Sequence, residues 1–324
     1  MTTALITGVT GQDGSYLAEF LLDKGYRVVG LVRRLSTPNF TNLSYAINRQ
    51  QFSTITGDMT DSTSLRSAIS KIEPDEVYNL AAMSFVKTSW DQPILTQEVN
   101  FTGFLHLLEA VKNADKPIRL YQASTSEMFG NVHPPQKEDD AMVPHSPYGV
   151  AKLASHRMAK VYRDSHAVHV SCGILFNHES PRRGMEFVTR KIANGVARIK
   201  LGEQDHLKMG NVQALRDWGY ARDYVRAMWM MLQKDEPDDY VIGTGMSFSV
   251  RDFIERSFNA LNMEFDENKH LVIDPQYCRP VDIIELRADP AKANRELGWK
   301  PNVSFENLVR MMTESEYSRL AGIA

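Results

Sequence analysis

The sequence predicts an α/β protein built on a doubly wound parallel sheet, with a smaller C-terminal substrate-binding part. Three observations carry this. Short β-branched and apolar runs alternate with helical patterns through the first half of the chain. Each run is short and apolar throughout, as strands buried on both faces are. The first run leads directly into a glycine-rich turn and a helix.

Taken in order, Ala4–Thr7 reads as the first strand and Gln12–Lys24 as the first helix, ended by Gly25 as a C′ glycine. Arg27–Val32 and Ser53–Thr56 follow as strands two and three, and Glu76–Leu80, Ile118–Gln122 and His169–Leu175 as the next three. Helices Asp61–Ile72 and Thr102–Asn113 lie between them. Past Leu175 a polar, glycine-punctuated stretch precedes helices at Phe187–Arg198 and Tyr220–Leu232. A late strand at Tyr240–Gly243 could rejoin the sheet, and a helical pattern runs from Phe305 onward. The division expected is residues 1–175 for one domain, rejoined by segments around 210–245, and residues 176–324 for the other.

Bulk properties remove several classes of function. At 324 residues and a formal net charge of -3, the chain lacks the basic surplus of a nucleic-acid binder. No apolar run approaches a membrane span. Two cysteines, Cys172 and Cys278, cannot build a disulfide framework and have no metal-like spacing. A reducing cytoplasm is the setting this favours. The four N-x-S/T matches at Asn39, Asn42, Asn100 and Asn302 are then chance sequons.

Gly8-Val9-Thr10-Gly11-Gln12-Asp13-Gly14 forms G-x-x-G-x-x-G between a strand and a helix. Glycines allow a tight turn and close approach to a pyrophosphate, while the helix N-terminus offers unpaired N–H groups. A dinucleotide site of the Rossmann type is expected, lined by Gly8, Thr10, Gly11, Gln12, Asp13 and Gly14. After the second strand come Arg33-Arg34-Leu35-Ser36, with no carboxylate to meet a ribose 2′-hydroxyl. Guanidinium groups grip a 2′-phosphate instead, so NADP is favoured over NAD, with Arg33, Arg34 and Ser36 beside it. Asp58-Met59 are placed to flank an adenine. Leu80-Ala81-Ala82, with Ser84 just beyond, suit a backbone lying against the cofactor.

The chemistry is written in two further segments. In Pro147-Tyr148-Gly149-Val150-Ala151-Lys152, Ser146 and Pro147 read as N-cap and N1 of a helix. Tyr148 and Lys152 then stand one turn apart on one face. A nearby ammonium, with an oxidised nicotinamide, would lower the tyrosine pKa. Ala123-Ser124-Thr125-Ser126-Glu127 falls at the C-terminal end of the fifth strand, where ligands bind in open parallel sheets. Thr125 can bond Tyr148 and a substrate hydroxyl. Glu127 supplies a second acid–base group, which simple alcohol oxidation does not need.

Together these segments resemble the extended short-chain dehydrogenase/reductase family over nearly the whole chain, and within it the GDP-mannose 4,6-dehydratases. The resemblance is carried by Thr7–Leu22, Gly30–Arg34, Val77–Ala82, Tyr121–Gly130 and Ser146–Lys152. More specific still are Gly173–Gly184 with Glu186–Ile192, and Arg216–Trp229. It implies NADP that stays bound and a catalytic set of Thr125, Glu127, Tyr148 and Lys152. It also implies a GDP-mannose site formed by Asn177, Val188, Lys191, Arg216 and Arg279, with Ser84, Ser126 and Asp282. Met83 stands where this family often has Gln, and Asp282 where Glu is expected.

The implied reaction is internal: Tyr148 takes the O4 proton as hydride leaves C4, Glu127 removes the C5 proton and helps expel the C6 hydroxyl, and hydride returns to C6. No metal is required. His166 and His169 read as a helix end running into a strand, and Asn177-His178-Glu179 as a positioning segment. The polar stretch Arg33–Asn42 is longer than a turn needs. In the resembling family it packs on a neighbour, so a homo-oligomer is expected, a tetramer before a dimer. Three alternatives stand beside this reading: a sister epimerase or reductase, which would typically lack Glu127; a dehydratase of another hexose or heptose carried on GDP; and a non-catalytic Rossmann regulator, which would have lost Tyr148 or Lys152.

Overall fold

In the first half of the chain, alternate residues of each strand enter opposite cores. Ala4, Ile6, Val28, Tyr78 and Tyr121 pack on one face of the sheet, and Leu5, Val29, Val77 and Leu120 on the other. A strand apolar on both faces needs helices on both, and the chain supplies them. The computed structural model describes residues 1–278 and 281–323.

The elements run β1 (Thr3–Thr7), α1 (Gln12–Asp23), β2 (Arg27–Val32), β3 (Phe52–Thr56), α2 (Ser62–Ile72) and β4 (Glu76–Asn79). Then come α3 (Val86–Asp91), α4 (Pro93–Gln97), a π-helical turn at Glu98–Thr102, α5 (Gly103–Lys112), β5 (Arg119–Thr125), α6 (Pro147–His166) and β6 (Val170–Leu175). The remainder holds β7 (Asn177–Glu179), α7 (Val188–Lys200), β8 (Leu207–Met209), β9 (Leu215–Arg216), β10 (Trp218–Tyr220), α8 (Ala221–Leu232) and β11 (Asp239–Ile242). It closes with β12 (Phe248–Ser249), α9 (Val250–Ala260), α10 (Glu267–His270), β13 (Leu271–Ile273), β14 (Glu285–Leu286), α11 (Ala291–Leu297) and α12 (Phe305–Leu320).

The main sheet has seven strands in the order β11-β6-β5-β4-β1-β2-β3, all parallel. Its order reverses at β1 and β4, which opens a crevice at their C-terminal ends. The late strand does rejoin the sheet, with Val241 paired to Ile174. α1 and α8 cover one face, and α2, α5 and α6 the other. α7, α9 and α12 build a separate core beyond the crevice around Trp218, Phe253 and Phe305. Small sheets, β10 on β7 and β12-β9-β14, bridge toward it.

Helix ends follow local chemistry. α1 closes in a Schellman turn: Gly25 N donates to Leu22 O at 2.9 Å and Tyr26 N to Leu21 O at 3.0 Å, with Gly25 at φ +82°. Ser146 caps α6, accepting from Gly149 N at 3.0 Å with Pro147 behind it. That cap fixes where Tyr148 begins its turn.

Candidate active site

One cleft of about 1020 Å³ runs along the crevice. It stands at the upper end of the size of small-molecule sites, as a cleft for an extended ligand would. Gly8, Thr10, Gly11, Gln12, Asp13, Gly14, Arg33, Asp58, Met59, Leu80, Ala81, Ala82 and Ser84 line it. So do Thr125, Ser126, Glu127, Tyr148, Lys152, Asn177, Val188, Lys191, Arg216 and Asp282. Arg34 and Ser36 lie outside its wall, on the exposed segment after β2. Arg279 falls outside the described residues.

The floor of the cleft is the junction of two loops. Gly8 sits at φ +68°, and a Cβ there would lie 2.8 Å from Ala81 N. Thr7 Oγ1 accepts from Leu80 N at 3.1 Å and Ala81 N at 3.0 Å while donating to Asn79 Oδ1 at 2.7 Å. The loops after β1 and β4 are thereby locked together. A Cβ on Gly14 would meet Gly8 O at 2.3 Å, so glycine seats α1 on the turn. A Cβ on Gly11 would meet only Gly8 O, at 3.3 Å, and its other side is the cleft. These residues fit a dinucleotide: a bare backbone surface at a helix N-terminus, with the Arg33 guanidinium on the wall of the same cleft.

At the end of β5, Thr125 is hydrogen-bonded to Tyr148 and its Oγ1 accepts from Glu127 N at 3.3 Å. Glu127 is buried in the short 3-10 turn at Ser126–Met128, and its backbone abuts Gly149 of α6. Lys152 Nζ donates to Ala123 O at 2.8 Å and lies 5.9 Å from the Tyr148 ring centroid. Burial is the largest influence on Tyr148 and pushes it up to about 12; the Thr125 bond pulls down, and Glu127 pushes further up. Burial likewise brings Lys152 down to about 8, against the pull of Asp13. The lowering of Tyr148 expected from its lysine is therefore not produced by the chain's own side chains. Desolvation dominates instead, and the Lys152 ammonium donates to the strand carbonyl of Ala123.

Across the cleft, Arg216 is buried and anchored: Nη1 donates to Leu215 O and Ile283 O, and Nη2 lies 3.4 Å from Asp282 Oδ1. Asp282 Oδ2 also accepts from Asn211 Nδ2 at 2.8 Å. Its carboxylate thus orients two neighbours across the β9 edge. Lys191 Nζ sits 3.2 Å from the Tyr277 ring centroid, and burial, assisted by Lys87, lowers it despite Asp274.

Sequence reasoning did not single out Lys87, Arg183, Phe187 or Tyr277, all of which line the cleft. Arg183 pairs with Glu179 at 3.1 Å, lies 3.5 Å from the Phe187 ring, and favours ionisation of Tyr148. It stands inside a motif already quoted, whereas nothing in the helical pattern marks Lys87. His166 ends α6 as read from the sequence, and His169 lies one residue before β6, which begins at Val170 and not at the expected His169. His156, Cys172 and Asp239 bring ligand-type atoms within 4.8 Å of one another, away from the cleft. Arg163 already holds Asp239 at 2.5 Å, the protonated thiol of buried Cys172 is hydrogen-bonded to the same carboxylate, and His156 Nε2 lies 3.7 Å from it while its Nδ1 meets Ser124 Oγ at 3.1 Å. Among the described residues no helix is long and apolar enough to cross a membrane.

The family model for GDP-mannose 4,6 dehydratase matches residues 5–312. The chain belongs to the GDP-mannose 4,6-dehydratase family. Members similar to it include GDP-mannose 4,6 dehydratase 1 of Arabidopsis thaliana, 49% identical over 97% of this chain and 89% of that one. The Homo sapiens GDP-mannose 4,6 dehydratase is 46% identical over 97% and 91%, and that of Vibrio cholerae serotype O1 44% over 97% and 93%. Among solved structures, a Thermus thermophilus UDP-glucose 4-epimerase in complex with NAD superposes with TM-score 0.85 at 26% identity, covering 97% of this chain and 99% of that one. A Bacillus anthracis dTDP-glucose 4,6-dehydratase shares the fold with TM-score 0.84 at 21% identity, over 97% and 96%. The GDP-mannose 4,6-dehydratase family thus accounts for almost the whole chain.

Proposed function

We propose that this protein is an NADP-dependent GDP-mannose 4,6-dehydratase that makes GDP-4-keto-6-deoxy-mannose and water. The observation that carries this reading is Glu127, a second acid–base side chain buried beside Thr125 and Tyr148 in one cleft. A plain dehydrogenase has no use for it.

Gly8, Gly11 and Gly14 with the first turn of α1 would hold the cofactor diphosphate, Arg33 the 2′-phosphate, and Asp58 and Met59 the adenine. NADP supplies the hydride acceptor for C4 and the hydride donor for C6, so the reaction carries no net redox change. Thr125 orients the O4 hydroxyl and Tyr148 oxygen takes its proton. Lys152, fixed on Ala123 O, would act together with the positive charge of the oxidised nicotinamide to hold Tyr148 as the phenolate that accepts this proton and becomes the phenol. Glu127 then takes the C5 proton, made acidic by the adjacent ketone, and delivers a proton to the departing C6 hydroxyl. A proton is finally restored at C5. Asn177, Val188, Lys191 and Arg216, with Ser84, Ser126 and Asp282, are assigned to the sugar nucleotide. Lysine and arginine suit its diphosphate.

We read residues 1–175, rejoined around 210–245, as the cofactor half and residues 176–324 as mainly the sugar-nucleotide half. The exposed segment from Arg34 to Asn39 leaves room for a neighbour's contact, in keeping with a homo-oligomer, which we take as a tetramer before a dimer from the family resemblance. A cytoplasmic setting agrees with the two unpaired cysteines. Mass spectrometry of a reaction with GDP-mannose tests the activity. The expected product lacks one water with no net oxidation. An isomer of unchanged mass, or a product two hydrogens lighter, would overturn the reading.

A further inference from the structure

The first two turns of α1 are held by the polar segment after β6, and the contacts are dense. Gln12 Nε2 donates to His178 O at 3.0 Å, and Ser180 Oγ donates to Gln12 Oε1 at 2.8 Å. Arg182 reaches Ser15 Oγ at 3.1 Å and Glu19 Oε1 at 2.5 Å. At the centre, His178 Nε2 lies 2.7 Å from Asp13 Oδ2 and His178 Nδ1 lies 2.7 Å from Phe176 O. A carboxylate and a backbone carbonyl can only accept. Both ring nitrogens must therefore donate, and the ring is an imidazolium. It stacks on Tyr224 of α8, centroids 4.6 Å apart and planes at 22°.

The location makes this pair consequential. Asp13 is the acidic residue in the first turn of α1, the turn whose N–H groups face the cleft. An unneutralised carboxylate there would repel an anionic diphosphate. We propose that His178 is a positioning residue for the cofactor loop: held between Phe176 O and Asp13, it cancels that carboxylate and ties the loop to β7, which carries Asn177. The claim rests on the reading that the glycine loop takes a nicotinamide dinucleotide. The groups facing the pair are Asp13 and Gln12 from α1, Arg183 and its partner Glu179, Tyr224 from α8, and Lys152, which feels the Asp13 charge. Burial works against the imidazolium, yet Asp13 raises His178 above its ordinary value. Burial also pushes Asp13 up, and His178, Gln12 and Arg183 together hold it below its ordinary value.

The test is charge rescue. NADP is titrated calorimetrically into the full-length wild type, H178Q, D13N and the double variant D13N/H178Q. H178Q strands a half-buried carboxylate at the loop and is expected to weaken NADP binding by at least about tenfold. The double variant removes both charges and is expected to bind NADP at least about threefold more tightly than H178Q, a rescue that lost packing alone would not produce. Nitrogen NMR of the His178 ring, assigned by its loss in H178Q, is expected to show both nitrogens protonated at pH 7.5. The proposal is overturned by wild-type affinity in H178Q, by a double variant no better than H178Q, or by a neutral ring at pH 7.5. Should H178Q fail to fold, the double variant and the NMR of the wild type still decide. A wild type that binds no NADP would instead overturn the reading of the loop itself, whatever the ring's charge.

Discussion

Gly11 and Gly14 are three residues apart, and the same substitution should harm them in different ways. In Gly14→Ala the new Cβ would sit 2.3 Å from Gly8 O and 2.6 Å from Val9 Cα, both backbone atoms that cannot rotate aside. Ordinary contact begins at 3.4 Å, so α1 must lift by 3.4 − 2.3, about 1 Å. That lift disturbs Tyr16, Leu17, Ala18 and Leu21, which α1 buries in the core. Overpacking of this kind costs about 1–3 kcal/mol, and a chain this long loses about 2 °C of melting temperature per kcal/mol. The expected fall is roughly 2–6 °C, with weaker NADP binding because the loop moves too. Gly11 has φ -73° and ψ 177°, which alanine adopts freely, and its Cβ would meet only Gly8 O at 3.3 Å. A poorer N-cap and a less flexible unfolded chain offset each other, leaving stability within about 1 kcal/mol. The Cβ occupies the cleft side instead, so NADP affinity should drop at least about tenfold, equivalent to ~1.4 kcal/mol. Melting curves of the cofactor-free proteins and calorimetric titration with NADP separate the two outcomes. The reasoning is refuted if Gly14→Ala melts within about 1 °C of wild type, or if Gly11→Ala binds NADP with unchanged affinity.

Glu127→Gln should leave the first proton transfer by Tyr148 intact and slow elimination by roughly 10²–10⁴-fold. A single turnover should then accumulate a 4-keto sugar still bearing its C6 hydroxyl, whereas Tyr148→Phe should stop earlier; identical arrest in both would remove the separate role of Glu127. Arg33→Ala should weaken NADP much more than NAD, while Arg34→Ala, outside the cleft wall, should shift that ratio less; equal shifts would discount the placement of Arg33. Lys152 titrates near 8 in the fold and near 10.5 unfolded, so between these values the unfolded chain holds the extra proton. Its burial cost is thus greatest below pH 8 and is relieved as pH rises. Relative to Lys152→Met, the wild type should gain about 2 kcal/mol of stability between pH 7.5 and 9.5, read from denaturant unfolding. A flat difference would mean that the buried amine keeps an ordinary pKa.

The elements legible in the sequence are those whose determinants are local. β1, β2 and α1 follow from an apolar run, a glycine turn and a C′ glycine, and α6 from Ser146 and Pro147, so the placement of Tyr148 and Lys152 could be read directly. β5 runs on to Thr125, three residues past the expected Gln122, because Ala123, Ser124 and Thr125 pair with Gly173, Ile174 and Leu175. Small polar residues carry no apolar signal, and the neighbouring strand supplies the reason for the extension. α3, α4 and the π-helical turn had no reading of their own, since their short lengths give too few turns for periodicity to register. The same logic governs the site. The glycine loop is visible because glycine itself is the signal, but the partner of Asp13 lies 165 residues away in His178. β7, which presents that histidine, exists only by pairing with β10 across a long stretch of intervening chain. A carboxylate in a cofactor loop is therefore ambiguous in sequence, since it can meet a ligand or a distant cation. Here the fold answers that by bringing the first-turn acidic residue of α1 against a ring that must donate from both nitrogens, and this closure joins the glycine loop to the arm carrying Asn177.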